Sequence, residues 1–123
     1  MFKVLVIDDE PSILKLLYKI FRKAGFSVET AADGHEGLKK IQDDPYDIVI
    51  TDVLMPGMHG NDVAGHIRNS QSRDIVVIGI SGTPWELNEQ SFDAVLPKPF
   101  SPETLLATIE NILRHPTPEA VAG

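Results

Sequence analysis

Apolar positions along this chain follow two rhythms. Short unbroken runs recur at "KVLVI", "DIVI" and "IVVIGI", dense enough to read as strands buried on both faces, as in parallel sheets. Between them lie longer stretches with apolar residues every third or fourth position. In Pro11 to Ala24 the apolar residues Ile13, Leu14, Leu16, Leu17, Ile20, Phe21 and Ala24 fall on one helical face, with Pro11 suited to the first turn and Gly25 to the stop. "FSVETA" then reads as a short strand, "GHEGLKKIQDD" as a weaker helix ended by Pro45, and "YDIVITD" as another buried strand. A turn-rich "VLMPGMHG" leads into a helix from about Asn61 to Asn69. "DIVVIGIS" is the fourth strand, "TPWELNEQ" has room for a short helix only, and "FDAVLPKP" is the fifth strand. The last helix takes Ser101 as N-cap and Pro102 at its first position, and runs to about Arg114.

Five strands alternating with five helices predict an α/β fold with a mostly parallel sheet and helices on both faces, in the order 2-1-3-4-5. The fourth helix is short. One domain is expected over residues 1–114, followed by a loose tail, "HPTPEAVAG", over 115–123. In such sheets ligands bind beyond the carboxyl ends of the strands. Those ends carry Asp8 and Asp9, Asp52, Ser81 and Lys98. Four strands deliver polar groups to a single edge.

Composition narrows the chemistry. With no cysteine, thiolate metal sites and disulfides are excluded, and a cytoplasmic location is expected. A net charge of −7 argues against nucleic-acid binding by this domain alone. No run approaches the ~18 apolar residues of a membrane span, so no membrane partner is expected. The four histidines fall on different elements without ligand spacing and read as surface residues. Carboxylates crowded at one sheet edge repel, and the arrangement favours a hard divalent cation, Mg²⁺ with Mn²⁺ as an alternative. Beside a metal, a carboxylate can act as nucleophile towards phosphorus and form an acyl phosphate. Asp52, on the central strand, is the candidate nucleophile, with Asp8 and Asp9 holding the metal. Lys98 and Ser81 would offset charge on the transferred group, and Glu10 would support the start of the first helix.

The motifs "LVIDDEP", "DIVITDVLMPGMHG", "VIGISG" and "AVLPKPFSPETLL", in this order, resemble the receiver domains of bacterial response regulators, the CheY-like family, over about Phe2 to Arg114. The resemblance implies the three-layer flavodoxin-like fold of that family and a phosphorylation switch in a two-component system or phosphorelay. It makes Asp52 the phosphoacceptor and Asp8, Asp9, Asp52 and the backbone carbonyl of Leu54 the metal ligands. Ser81 and Lys98 become the residues that meet the phosphoryl group, and the Lys98–Pro99 bond is expected to be cis. The implied partner is a histidine kinase or histidine phosphotransfer protein, with the chain a monomer or weak dimer. The implied activity is that of a phosphoacceptor, with at most slow self-catalysed transfer and hydrolysis.

Two positions depart from the family pattern. Val95 stands where the family often carries an aromatic switch residue, and the stretch from Ser81 to Lys98 is short. The switch is therefore expected to be read through Val95, Thr83 and Trp85, chiefly the last. Each motif alone has a plain explanation: a solvated "DDE", a rigid "PKPF" turn, a strand-end serine. Their coincidence at matching strand ends does not. Rival readings meet specific obstacles. A haloacid dehalogenase-type phosphatase wants a second acid two residues after the nucleophile, where Leu54 stands. A flavodoxin-like flavin binder wants a phosphate loop where "DDEP" stands. A degenerate receiver serving only as an interaction module would not need the full acid, serine and lysine set.

Overall fold

The computed structural model describes residues 2–53, 58–70, 74–82 and 92–114. In chain order these form β1 (Lys3–Ile7), α1 (Pro11–Lys23), β2 (Ser27–Ala31), α2 (Gly34–Asp43), β3 (Ile48–Asp52), α3 (Gly60–Arg68), β4 (Val76–Ser81), β5 (Ala94–Pro97) and α4 (Pro102–Arg114). The strands make one five-stranded sheet in the order β2-β1-β3-β4-β5, and every neighbouring pair is parallel. The short helix expected within "TPWELNEQ" and the tail at 115–123 lie outside the described residues.

Why the strands read as solid apolar runs is visible in β1. Side chains alternate between faces along a strand, and here both faces are covered. Val4 and Val6 join one core with Leu17 and Phe21 of α1 and Leu105 and Ile109 of α4. Leu5 and Ile7 join the other with Ile41 of α2 and Val63, Ala64 and Ile67 of α3. Full burial of side chains of this size contributes roughly 1.5–3 kcal/mol each. On α1 and α4 the deepest pairs, Leu17 with Phe21 and Leu105 with Ile109, are four residues apart, the spacing that keeps them on one helical stripe.

Local signals set the helix ends. Past α1, Gly25 takes φ of 96° and the Phe26 N–H donates to the Phe21 carbonyl at 2.9 Å, the left-handed stop that glycine favours. Asp33 accepts the Glu36 N–H at 2.8 Å while Glu36 accepts the Ala32 N–H at 3.0 Å, so the weakly apolar α2 starts with two donors satisfied. Ser101 caps α4 by accepting the Thr104 N–H at 3.1 Å.

Several boundaries differ from the sequence reading: β3 and β4 begin at Ile48 and Val76, after the Tyr46 and Asp74 starts that the sequence predicts, and two other shifts have visible causes. The third helix begins at Gly60, because the His59 imidazole Nδ1 accepts the Asn61 N–H at 3.1 Å and serves as its cap. The fifth strand begins at Ala94, after Phe92 and Asp93. The Asp93 carboxylate takes the Val77 N–H at 2.7 Å and pairs with Arg68. Ladder pairing starts two residues later than read, at Ala94 opposite Ile78. The Asp93 N–H still donates to the Val77 carbonyl at 2.8 Å, while Phe92 is buried against the face of Gly79.

Candidate functional site

Parallel register brings the chemistry to one edge. Ile7 pairs with Thr51, Asp52 with Ile80, and Ser81 with Pro97, so four adjacent strands end almost level. Asp8 and Lys98 each stand one residue past their strand, whereas Asp52 and Ser81 are the last residues of theirs. Lys98 is tied in by its own N–H, which donates to the Ser81 carbonyl at 2.9 Å. The Lys98–Pro99 peptide that follows is cis.

Asp8, Asp9 and Asp52 each offer a carboxylate oxygen within 4.8 Å of the other two. Asp8 and Asp52 are buried and Asp9 is exposed. Burial pushes the Asp8 carboxyl up from 3.8 to about 6, helped by the Asp52 and Asp9 charges and opposed by the Glu10 N–H and Lys98. The Glu10 N–H donates to Asp8 Oδ1 at 2.9 Å. Asp52 Oδ1 accepts the Val53 N–H at 2.8 Å and faces the Lys98 ammonium at 3.4 Å. Three hard oxygen donors, one of them held against ionisation chiefly by its burial, suit a small, hard divalent cation.

Ser81 is buried at the end of β4, one register position beyond the partner of Asp52. Val95, on β5, is half-buried and packs against the core cluster that includes Phe92 and Val77. Glu10 occupies the N-cap position of α1, but its side chain makes no capping bond, so its support of that helix comes from its carbonyl, which accepts the Ile13 and Leu14 N–H groups. Leu54, Thr83 and Trp85 lie outside the described residues. One residue that sequence reasoning passed over is Gly60, whose N–H donates to the Val53 carbonyl beside Asp52 at 2.9 Å. Its only sequence signal was a glycine opening a helix after an acid-ended strand.

The response regulator receiver domain family matches residues 4–110. Among curated proteins, the chain is 35% identical over 130 residues to the response regulator MprA of Mycolicibacterium vanbaalenii, covering 98% of this chain and 54% of that one. It is 34% identical to the alkaline phosphatase synthesis transcriptional regulatory protein PhoP of Bacillus subtilis, covering 92% and 49%. The chain thus spans about half the length of these relatives. Among solved structures, the Vibrio cholerae chemotaxis protein CheY4 superposes with a TM-score of 0.84 at 36% identity, covering 91% of this chain and 98% of that one. The Thermotoga maritima response regulator TrrA, solved in complex with Mg²⁺ and BeF, gives 0.84 at 34% identity, covering 90% and 98%.

Proposed function

This chain belongs to the response regulator receiver family, and from that we propose that Asp52 is its phosphoacceptor, charged by the phosphohistidine of a histidine kinase or phosphotransfer protein. The chain is a receiver domain of two-component signalling. The observation that carries the residue assignment is the buried Asp52 carboxylate, 3.4 Å from the Lys98 ammonium and beside Asp8 and Asp9.

In the step proposed, a carboxylate oxygen of Asp52 forms a bond to phosphorus as the phosphorus–nitrogen bond of the donor breaks. The electron pair stays on the imidazole nitrogen, which takes up a proton. Transfer of this kind depends on positioning and on charge compensation at the phosphoryl oxygens. Lys98 supplies a cation from the end of β5, and Ser81 a hydroxyl from β4, the strand beside Asp52. Asp8, Asp9 and Asp52 would hold Mg²⁺, which when bound would neutralise charge on the transferring group. Hydrolysis of the acyl phosphate would be slow and self-catalysed, so the domain acts as a carrier of state and not as a turnover enzyme. Such a kinase partner places the domain in the cytoplasm.

Acetyl phosphate with Mg²⁺ tests the reading by intact-mass analysis. A single acid-stable, base-labile addition is expected, lost in Asp52→Asn and on chelation of the metal. Full labelling that persists in Asp52→Asn would overturn the assignment.

A further inference from the structure

Gly60, the first residue of α3, lies directly on the backbone of Asp52. A Cβ at this position would stand 2.6 Å from the Asp52 carbonyl oxygen and 2.8 Å from Val53 Cα, and neither atom can rotate aside. The approach is held by a hydrogen bond, Gly60 N–H to the Val53 carbonyl at 2.9 Å. Behind it the helix start is locked by His59, whose Nδ1 accepts the Asn61 N–H and whose carbonyl accepts those of Asp62 and Val63. From the other side the Val53 N–H reaches the Ile80 carbonyl of β4 at 3.2 Å, and the Thr51 hydroxyl donates to the Asp52 carbonyl at 2.9 Å. The peptide units flanking Asp52 are thus clasped between β4 and the start of α3.

We propose that Gly60 is a positioning residue for phosphotransfer: its missing side chain lets α3 seat on the Asp52 and Val53 backbone, and this seat aims the Asp52 carboxylate at Lys98 and the acid pair. The proposal rests on Asp52 being the phosphoacceptor. Any larger residue must lift the helix or displace the Asp52 carbonyl. A misplacement on the order of 1 Å at a reacting group can slow a reaction by about a hundredfold. Gly79 provides the control. A Cβ there also meets atoms at 2.8 Å, but they belong to the Phe92 ring, a side chain outside the site.

Labelling of Asp52 by acetyl phosphate in Mg²⁺ should be followed in Gly60→Ala and Gly79→Ala, at a temperature where melting curves show both folded. The expected result is a maximal rate at least about tenfold lower in Gly60→Ala, with Gly79→Ala melting earlier yet labelling at the parent rate. Equal maximal rates in the two variants would overturn the role of Gly60. Undiminished labelling of Asp52→Asn would instead overturn the phosphoacceptor reading on which it rests. If Gly60→Ala does not fold, amide hydrogen exchange in the parent decides. Coupling between clasp and site is reciprocal, so beryllofluoride with Mg²⁺ should slow exchange of the Gly60 N–H. An exchange rate identical with and without bound beryllofluoride overturns the proposal.

Discussion

The Lys98 ammonium stands 3.4 Å from Asp52 Oδ1, with the lysine side chain 30% exposed and the aspartate 6%. A buried carboxylate beside two others has this lysine as an ion-pair partner, so loss of the lysine is expected to destabilise the metal-free fold. Removing one partner of a buried pair strands the other charge. Because Lys98 is partly in water, the cost is discounted to about 1–2 kcal/mol. Lys98→Ala should therefore lower the metal-free melting temperature by roughly 3–10 °C. Adding Asp52→Asn should recover most of it, since the stranded charge is then gone. Labelling of Asp52 in Lys98→Ala should continue about a hundredfold more slowly. A melting temperature unmoved by Lys98→Ala would mean that the pair does not stabilise the apo protein.

Asp8 gives the metal-free protein a pH dependence of definite sign. Its carboxyl titrates near 6 in the native state against 3.8 ordinarily. Below about pH 4 it is protonated in native and unfolded chains alike and imposes no penalty. Between those values the native state keeps a proton that the unfolded chain has released, so stability falls as pH rises. Above about pH 6 the penalty is fully present, on the order of 3 kcal/mol. Asp8→Asn, whose amide oxygen can still accept the Glu10 N–H, should melt roughly 10 °C above the parent at pH 7.5 in chelator. The gap should close as pH approaches 4. A gap that is constant across this range would exclude Asp8 as its source.

Much of this was legible in the sequence because it depends on near neighbours. Val4 to Ile7 is apolar on both registers, as a strand covered on two faces requires, and Asp8 follows that run directly, as Asp52 follows Ile48 to Ile50 after one threonine. The strand ends could then be matched through the rule that ligands gather at the carboxyl edge of a parallel sheet. What escaped depends on contacts between distant segments. Nothing in "FDAV" reveals that the Asp93 side chain takes the Val77 N–H and pairs with Arg68, since these partners lie 16 and 25 residues away. Gly60 looks like any helix-opening glycine until its Cβ direction meets the Asp52 carbonyl. Val95 drew attention as a departure from a family pattern, and what the structure adds is its packing against the core cluster of Phe92 and Val77.

Asp9 should separate metal binding from stability. It is exposed, unlike Asp8 and Asp52, so Asp9→Ala should shift the metal-free melting temperature by less than about 2 °C, as surface substitutions do. Mg²⁺ that binds only the native state should raise the melting temperature of the parent by several degrees at concentrations about a hundredfold above its dissociation constant. That rise should be much reduced in Asp9→Ala. If millimolar Mg²⁺ leaves the parent unmoved, the three carboxylates do not make a metal site.

The opposite edge of the sheet offers a test of how independent the site is from the scaffold. The Asp93 carboxylate accepts the Val77 N–H at 2.7 Å and pairs with Arg68, whose guanidinium also donates to the Ile75 carbonyl at 2.9 Å. These contacts join the end of α3 to the beginnings of β4 and β5, whereas Asp52 and Lys98 lie at the strands' carboxyl ends. Asp93→Ala leaves the Val77 N–H without this acceptor, at a cost of about 1–3 kcal/mol, and should lower the melting temperature by roughly 4–10 °C. Arg68→Ala in the same chain should cost much less than it does alone, because the two share one network. The rate of Asp52 labelling should stay at the parent value wherever the variant is folded, since among the described residues the Asp93 bonds go to Val77 and Arg68, away from the site edge. A labelling rate that falls with Asp93→Ala in fully folded protein would show instead that strand placement at one edge sets the chemistry at the other.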